Sequence, residues 1–420
     1  MNIKKLARAA IAAIPAVSFA AVPEVTAVTM SQAADRLVTI TYTLSDAPAV
    51  ITLEVQTNAT GDVWASIGGV AVCNAEGDVW KKVETGSHTI TWRPDLSWPD
   101  HKIAAGGARA VVTAWALDNT PDYMAVDISD YAQANTQRYY PAADFVPGGV
   151  LANTMYRKTK ILMRKIMAKG VEWTMGSTKL ETSRQTDEKT HQVTLTNNYY
   201  IGVFPVTQEQ WYLVSGDFPS YFTNAADRAM RPVEKVSFYT IRKTRWPNAI
   251  GSTSFLKSLQ TKTGIVFDLP SEAQWEFAAR AGNGDTLWGD GSGIMNAAQD
   301  ENLNLFGRYT YSGGKIDGTT NPDASCGATN GTAIVGSYRP NSWGLYDTAG
   351  NVTEWCLDKY AEDISDLNGA VNTDGTYHVY RGGRWNVDAS NCRPARRGYG
   401  DWSDANNYNG FRLYCTAGLQ

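Results

Sequence analysis

At 420 residues the chain exceeds the roughly 250–300 residues at which a single hydrophobic core stops growing, so two domains are expected. Charged residues make up 19% and hydrophobic residues 43%, and the formal net charge is only −4. That balance suits a folded, soluble protein and gives no electrostatic reason to expect nucleic acid or an anionic membrane as partner. With 14 Trp, 21 Tyr, 11 Phe and 37 Gly, turns are plentiful and rings are available for packing or for a binding surface.

Residues 1–22 combine a basic start (Lys4, Lys5, Arg8), an apolar stretch from Ala9 to Phe19 and small residues at Ser18, Ala20 and Ala21. This is the build of a secretory signal peptide: the stretch is too short for a bilayer span of about 20 residues but suits a signal's apolar centre. Export to a periplasm, a cell surface or the medium is expected, and no later segment is apolar enough to span a membrane. An oxidising compartment would permit disulfides among Cys326, Cys356, Cys392 and Cys415, whose pairing the sequence leaves open. Cys73, in Val70-Ala-Val-Cys73, reads as a buried, inert thiol on a strand.

Residues 23–130 alternate in strand fashion: Leu37–Leu44, Val50–Val55, His88–Trp92, Ala110–Trp115 and Tyr123–Ile128, with turns such as Asn58-Ala-Thr-Gly61 and Glu76-Gly-Asp78 between them. Short alternating strands punctuated by turns predict an all-β sandwich of immunoglobulin or fibronectin type. His88 and His101 have no cluster of ligand-type partners and read as structural or surface residues. Residues 131–157, with Tyr139-Tyr-Pro and Val146-Pro-Gly-Gly149, break the alternation and read as a linker.

From residue 158 onward the pattern is irregular: short strands, two clear helices and loops rich in Gly, Asn and Trp. Thr207-Gln-Glu-Gln-Trp-Tyr-Leu-Val214 opens with Thr207 as N-cap and Gln210 three residues on, a capping box. Pro270–Arg280 opens with Ser271 and Gln274, places Trp275, Ala278 and Ala279 on one face, and stops at Gly282.

Several phrases stand in one order along this segment: Val171-Glu-Trp-Thr-Met-Gly-Ser177, Tyr200-Ile-Gly-Val-Phe-Pro-Val-Thr207, Arg231-Pro-Val-Glu-Lys-Val-Ser237, Leu269-Pro-Ser-Glu-Ala-Gln-Trp-Glu-Phe-Ala-Ala-Arg280, Asn341-Ser-Trp-Gly-Leu-Tyr-Asp347, Gly350-Asn-Val-Thr-Glu-Trp355, Arg381-Gly-Gly383 and Gly410-Phe-Arg-Leu413. On these residues the segment 158–420 resembles the formylglycine-generating-enzyme, or sulfatase-modifying-factor, family. The resemblance implies a C-type-lectin-like fold, hence an α+β chain with an all-β domain in front. Family members differ in activity, so the fold does not settle function. Physically, Trp173, Trp275, Trp343 and Trp355 read as core rings and Gly382-Gly383 as a tight turn.

The resemblance also implies ligands. Asp347, Gly350, Val352 and Glu354 match the family's calcium loop, where hard oxygen donors suit that ion; the resemblance puts the start of a second such loop at Asn302. The oxygen-dependent enzymes bind copper(I) through two cysteines just after the Gly-Gly turn. Cys392 matches the second, but Val387 stands at the first and Arg384 where those enzymes usually have Ser. Valine supplies no thiolate, so copper and formylglycine formation by that route are not expected, and Cys392 reads as a structural cysteine. With only His191 and His378 in this segment, the three-histidine iron site of another family branch is not expected either.

What remains is a surface. The segment Arg396–Asn409 is dense in Tyr, Trp, Asn, Asp, Gly and Arg, the vocabulary of adaptable binding sites, and it resembles the variable face of retroelement-diversified lectin-like proteins. Trp385, Asn386, Asp388, Tyr399, Asp401, Trp402 and Tyr408 are the candidate contacts for a protein or glycan. The alternatives are a formylglycine-generating oxidoreductase acting on sulfatase cysteines through Cys392, and a scaffold that recognises sulfatases without oxidising them.

Overall fold

The computed structural model describes residues 21–58, 63–102, 106–129, 136–178, 181–223, 227–282, 287, 296–312, 315–316, 319–320 and 331–418. Residues 1–20 of the expected signal peptide, Cys326 and most of the turn at Asn58–Gly61 lie outside the described residues.

The N-terminal part holds two antiparallel sheets. Glu24–Gln32, Val38–Ser45 and Gly86–Trp92 form the first, with Glu76–Gly77 on its edge, and Ala49–Thr57 is flanked by Ala108–Trp115 and by short strands in the second. Strict alternation along Val38–Ser45 buries Val38, Ile40, Tyr42 and Leu44, as a strand with one covered face requires. These meet Ile51, Leu53 and Val55 from the second sheet in one core.

Two features differ from the sequence reading. Tyr123–Asp127, expected as a sandwich strand, pairs instead with Lys160–Ile166 and with Gln137–Tyr140, so strand pairing continues through the supposed linker. The same hydrophobic core runs on from the sandwich into Tyr140, Phe145, Val146, Tyr156, Phe204 and Tyr346. Val70–Cys73 is not a strand either: Gly69–Val72 makes one helical turn that glycine lets pack closely, since a Cβ on Gly69 would lie 2.5 Å from the Phe145 ring.

Beyond it, a five-stranded antiparallel sheet runs in the order Gln137–Tyr140, Tyr123–Asp127, Lys160–Ile166, Tyr199–Gly202, Tyr414–Thr416, so the end of the chain pairs close to the start of its own domain. A second, four-stranded sheet carries Gly398–Gly400, His378–Arg381, Thr353–Lys359 and Asn409–Gly410. Both expected helices form. Thr207 and Gln210 cap Gln208–Ser215 reciprocally at 3.2 and 3.0 Å, and Ser271 and Gln274 do the same for Glu272–Ala279 at 3.2 and 2.9 Å. The sequence reading passed over two more, Phe238–Arg242 behind Ser237 and Phe255–Thr263 between its Ser254 cap and the left-handed Gly264.

The helix Glu272–Ala279 is buried on nearly every side, and its two glutamates are each only 1% exposed. Glu276 accepts from Arg280 at 2.8 Å, from the Gly176 amide at 3.0 Å and from Arg381; Glu272 accepts from Arg397 at 2.7 and 3.0 Å. Burial alone would push the Glu276 carboxyl up, but Arg381 and Arg280 more than offset it and hold the group below the ordinary glutamate value. Replacing Glu276 by Gln takes a buried counter-charge away from Arg280 and Arg381. That substitution is expected to lower stability by about 3–5 kcal/mol in chemical denaturation, and Glu276→Leu combined with Arg381→Met to recover much of the loss.

Candidate functional site

The turn Gly382-Gly383 follows the strand His378–Arg381 with φ of 93° and 73°, a conformation that other residues rarely adopt. A Cβ on Gly383 would lie 2.6 Å from Cys392 Sγ and 2.8 Å from the Asn391 carbonyl, so only glycine lets the turn sit directly on the cysteine. Beside this turn a cavity of about 150 Å³ opens, lined by Tyr380, Arg381, Arg384, Val387, Arg396 and Arg397 among others. This is where the family resemblance puts copper(I), and the residues present do not fit that ion. Cys392 is 0% exposed, burial pushes its thiol up to about 12, and the cavity wall carries Val387 and guanidinium groups in place of a second sulfur.

Cys356, Cys392 and Cys415 are all free, so no disulfide joins any of them. Each is locked in a different part of the interior: Cys356 beside Trp275 and Val379, Cys392 beside Leu303 and Ala389, Cys415 in the large core with Phe411 and Leu413. Cys73 is free as well and half-exposed.

The calcium residues come together, but their charges are already matched. Arg412 holds both Glu354 oxygens at 2.8 and 2.9 Å, and the Trp275 indole donates to one of them at 2.6 Å. Asp347, left-handed at φ 56°, accepts from the Gly336 amide at 2.7 Å and from Asn351 at 3.1 Å, and burial pushes its carboxyl up to about 6. Within the loop Asp347–Glu354, Glu354 therefore already has a guanidinium counter-charge. Asn302 precedes the single turn Leu303–Phe306, away from this loop in sequence and half-buried.

The candidate contact residues divide. Trp385 is only 9% exposed, with its indole donating to the Asn407 carbonyl at 3.2 Å and its ring edge-on to Phe222, so it is a strut and not an open contact. Asn386 and Asp388 are exposed on the following loop. Tyr399, 47% exposed, joins Tyr360 and Tyr377 in a ring cluster with centroids 4.1 and 5.5 Å away. Trp402 packs between Tyr239 and the Arg245 guanidinium, and Asp401 is tied to Ser403. Tyr408 lies under Arg384, whose guanidinium carbon is 3.8 Å from the ring centroid.

Sequence reasoning noted Arg384 only as a departure from the enzymes and gave Arg381, Arg396 and Arg397 no shared role. The four gather at one cavity because the strand His378–Arg381, which ends at the Gly-Gly turn, pairs with Gly398–Gly400. His378, counted only against an iron site, is fully buried, stacked on Phe238 at 3.7 Å and pushed down to about 4 by burial.

A sheet-dominated α+β domain with its cavity at a buried-cysteine Gly-Gly turn, packed against an antiparallel two-sheet unit, is the class these features define. Residues 152–417 match the family model described as the sulfatase-modifying factor enzyme 1-like domain, and the chain belongs to that family. Among curated relatives, the chaperone protein LppX of Paenibacillus barcinonensis is 29% identical over 50% of this chain and 76% of its own length. The serine/threonine-protein kinase pkn1 of Chlamydia pneumoniae is 27% identical over 60% of this chain and 38% of its own length. The formylglycine-generating enzyme of Streptomyces coelicolor is 34% identical over 30% of this chain. The chain thus spans under half the length of the latter two, at 38% and 39%. Among solved structures, Treponema denticola variable protein 1 aligns over 61% of this chain and 96% of its own at 26% identity, with a TM-score of 0.47. No helix among the described residues is long and apolar enough to cross a membrane.

The buried thiols give a direct expectation. In a Cys326→Ser background at pH 8, a chromogenic disulfide reagent should label Cys73 alone in the native protein, and Cys356, Cys392 and Cys415 only on unfolding. Rapid labelling of Cys392 in the folded state would contradict the sealed position described above.

Proposed function

We propose that this member of the sulfatase-modifying-factor family is an exported, lectin-like binding module that holds a protein or glycan ligand at the surface around the Gly-Gly turn. The observation that carries the reading is the pairing of Val387 with a sealed Cys392. A copper-thiolate oxidation needs two sulfurs open to the substrate, and here one is absent and the other lies beneath Gly383. The exposed rings and polar groups of Tyr377, Asn386, Asp388 and Tyr399 supply the alternative use of the same surface. Export rests on the basic-then-apolar stretch of residues 1–22.

The deciding experiment incubates the purified mature protein with copper(I), oxygen, a reductant and a sulfatase-motif peptide and follows the peptide's mass. No conversion of cysteine to formylglycine is expected. Conversion that disappears in Cys392→Ser would establish the oxidoreductase instead, while capture of an unreacted sulfatase would favour the scaffold. A second measurement concerns the frame of the site. Because Arg412 already neutralises Glu354, the thermal midpoint should be the same in calcium and in chelator; an ion bound only by the native state would raise it, and a rise would restore the calcium loop.

A further inference from the structure

We propose that the cavity beside Gly382-Gly383 receives a single oxyanion, the sulfate or carboxylate group of an acidic glycan. The inference rests on the binding-module reading and names the chemistry of its ligand. At about 150 Å³ the cavity is smaller than the roughly 300–1,000 Å³ of pockets that enclose a whole small molecule, so it suits one functional group of a ligand that otherwise lies on the surface.

Its charge is one-sided. Four arginines line it and no acidic residue does. Two of them are spoken for: Arg381 by Glu276 and Arg397 by Glu272. Arg384 and Arg396 have no carboxylate within ion-pair distance among the described residues, and the one side-chain hydrogen bond of Arg396, to Asn391 Oδ1, is long at 3.4 Å. Arg384 is nonetheless held in place, flat over Tyr408.

An independent sign is the orphaned N–H groups. The Nε atoms of both Arg381 and Arg384 are buried without a hydrogen-bond partner, although Arg381 is itself only 1% exposed. Buried donors of this kind are ordinarily satisfied. Two unmatched guanidinium N–H groups at one cavity call for an acceptor with several oxygens, and planar guanidinium groups pair best with carboxylate, sulfate or phosphate oxygens.

The glycan assignment comes from the adjoining surface. Arg397, in the cavity wall, lies 5.0 Å from the centre of the Tyr360 ring, and Tyr360 with Tyr399 and Tyr377 forms a preformed bank of rings, Tyr377 and Tyr399 being 45% and 47% exposed. Rings held against one another offer apolar area to the C–H face of a sugar with little ordering to do on binding.

The test uses the full mature chain. Thermal midpoints are compared in sodium sulfate and in sodium chloride of equal ionic strength, for the native protein and for Arg384→Met, Arg384→Lys and Tyr399→Ala. Affinities are then measured for a sulfated oligosaccharide, its desulfated form and an acidic peptide. Sulfate well above half-saturation should raise the native midpoint by about 2–4 °C. Arg384→Met, with an unchanged midpoint in chloride, should lose that rise and bind the sulfated saccharide at least ~10-fold more weakly, each good charged contact being worth a factor of that order. Arg384→Lys should keep part of both, and Tyr399→Ala should weaken the saccharide while leaving the sulfate effect intact. An equal sulfate effect in Arg384→Met, or none in the native protein, overturns the oxyanion pocket; binding of the acidic peptide without the saccharide overturns the glycan. A neutral ligand bound through Tyr399 with no sulfate effect would leave the binding-module reading standing while this inference falls.

Discussion

The C-terminal domain depends on guanidinium groups buried against carboxylates. Among the largest fully buried side chains, Arg242, Arg280, Arg308, Arg381, Arg393 and Arg412 stand beside Trp275 and Trp355, an unusual filling for an interior. The reason lies in the architecture. Long loops with few ladder hydrogen bonds must be tied by side chains, and an arginine can reach several loops at once. Arg393 joins Glu188 at 2.6 and 2.8 Å across some two hundred positions, Arg242 joins Asp268 at 2.9 Å, and Arg412 joins Glu354 while donating to the Gly202 and Tyr346 carbonyls. Such pairs contribute modest net stability, because desolvation offsets much of the attraction, but breaking one strands its partner. Their effect is to dictate which loop meets which.

The site follows from that constraint. Arg381 is at once the end of a strand, the partner of Glu276 and the residue before the Gly-Gly turn, so the helix Glu272–Ala279 sets where the turn lies. The turn in turn covers Cys392 and exposes the cavity. Val387 and Arg384 both line that cavity: the first supplies no soft ligand, and the second fixes a positive charge there, held over Tyr408. Side chains at such positions can change without altering the frame, which is why fold alone does not assign the activity.

Legibility in the sequence tracked how local each signal was. The capped helices at Thr207 and Ser271 were readable because cap, box and apolar face fall within a few residues of one another. The strand Val38–Ser45 was readable from its alternation. Tyr123–Asp127 also reads as a strand, but it is buried at four consecutive positions and nothing within it says which sheet it joins; that is decided by Lys160–Ile166, some forty residues on. Glu354 and Trp385 show the same limit: a carboxylate in a calcium-type loop and a tryptophan in a ring-rich segment give no sign in the sequence of Arg412 and Phe222, their distant packing partners.

The junction between the two parts is built as part of the fold. A flexible link would let the two parts tumble independently. Here the chain between them is itself a strand of the second domain's sheet, and Tyr140, Phe145 and Val146 lie in the same core as Ile40, Trp80 and Trp92 of the sandwich and as Phe204 and Tyr346 of the domain beyond. Trp80 packs on both Tyr140 and Phe145, at 5.7 and 6.0 Å between ring centroids. Burying several aromatic rings across a junction makes independent motion of the two parts expensive, since separating them would return that apolar area to water. The N-terminal sheets and the domain beyond are thus tied through one shared core.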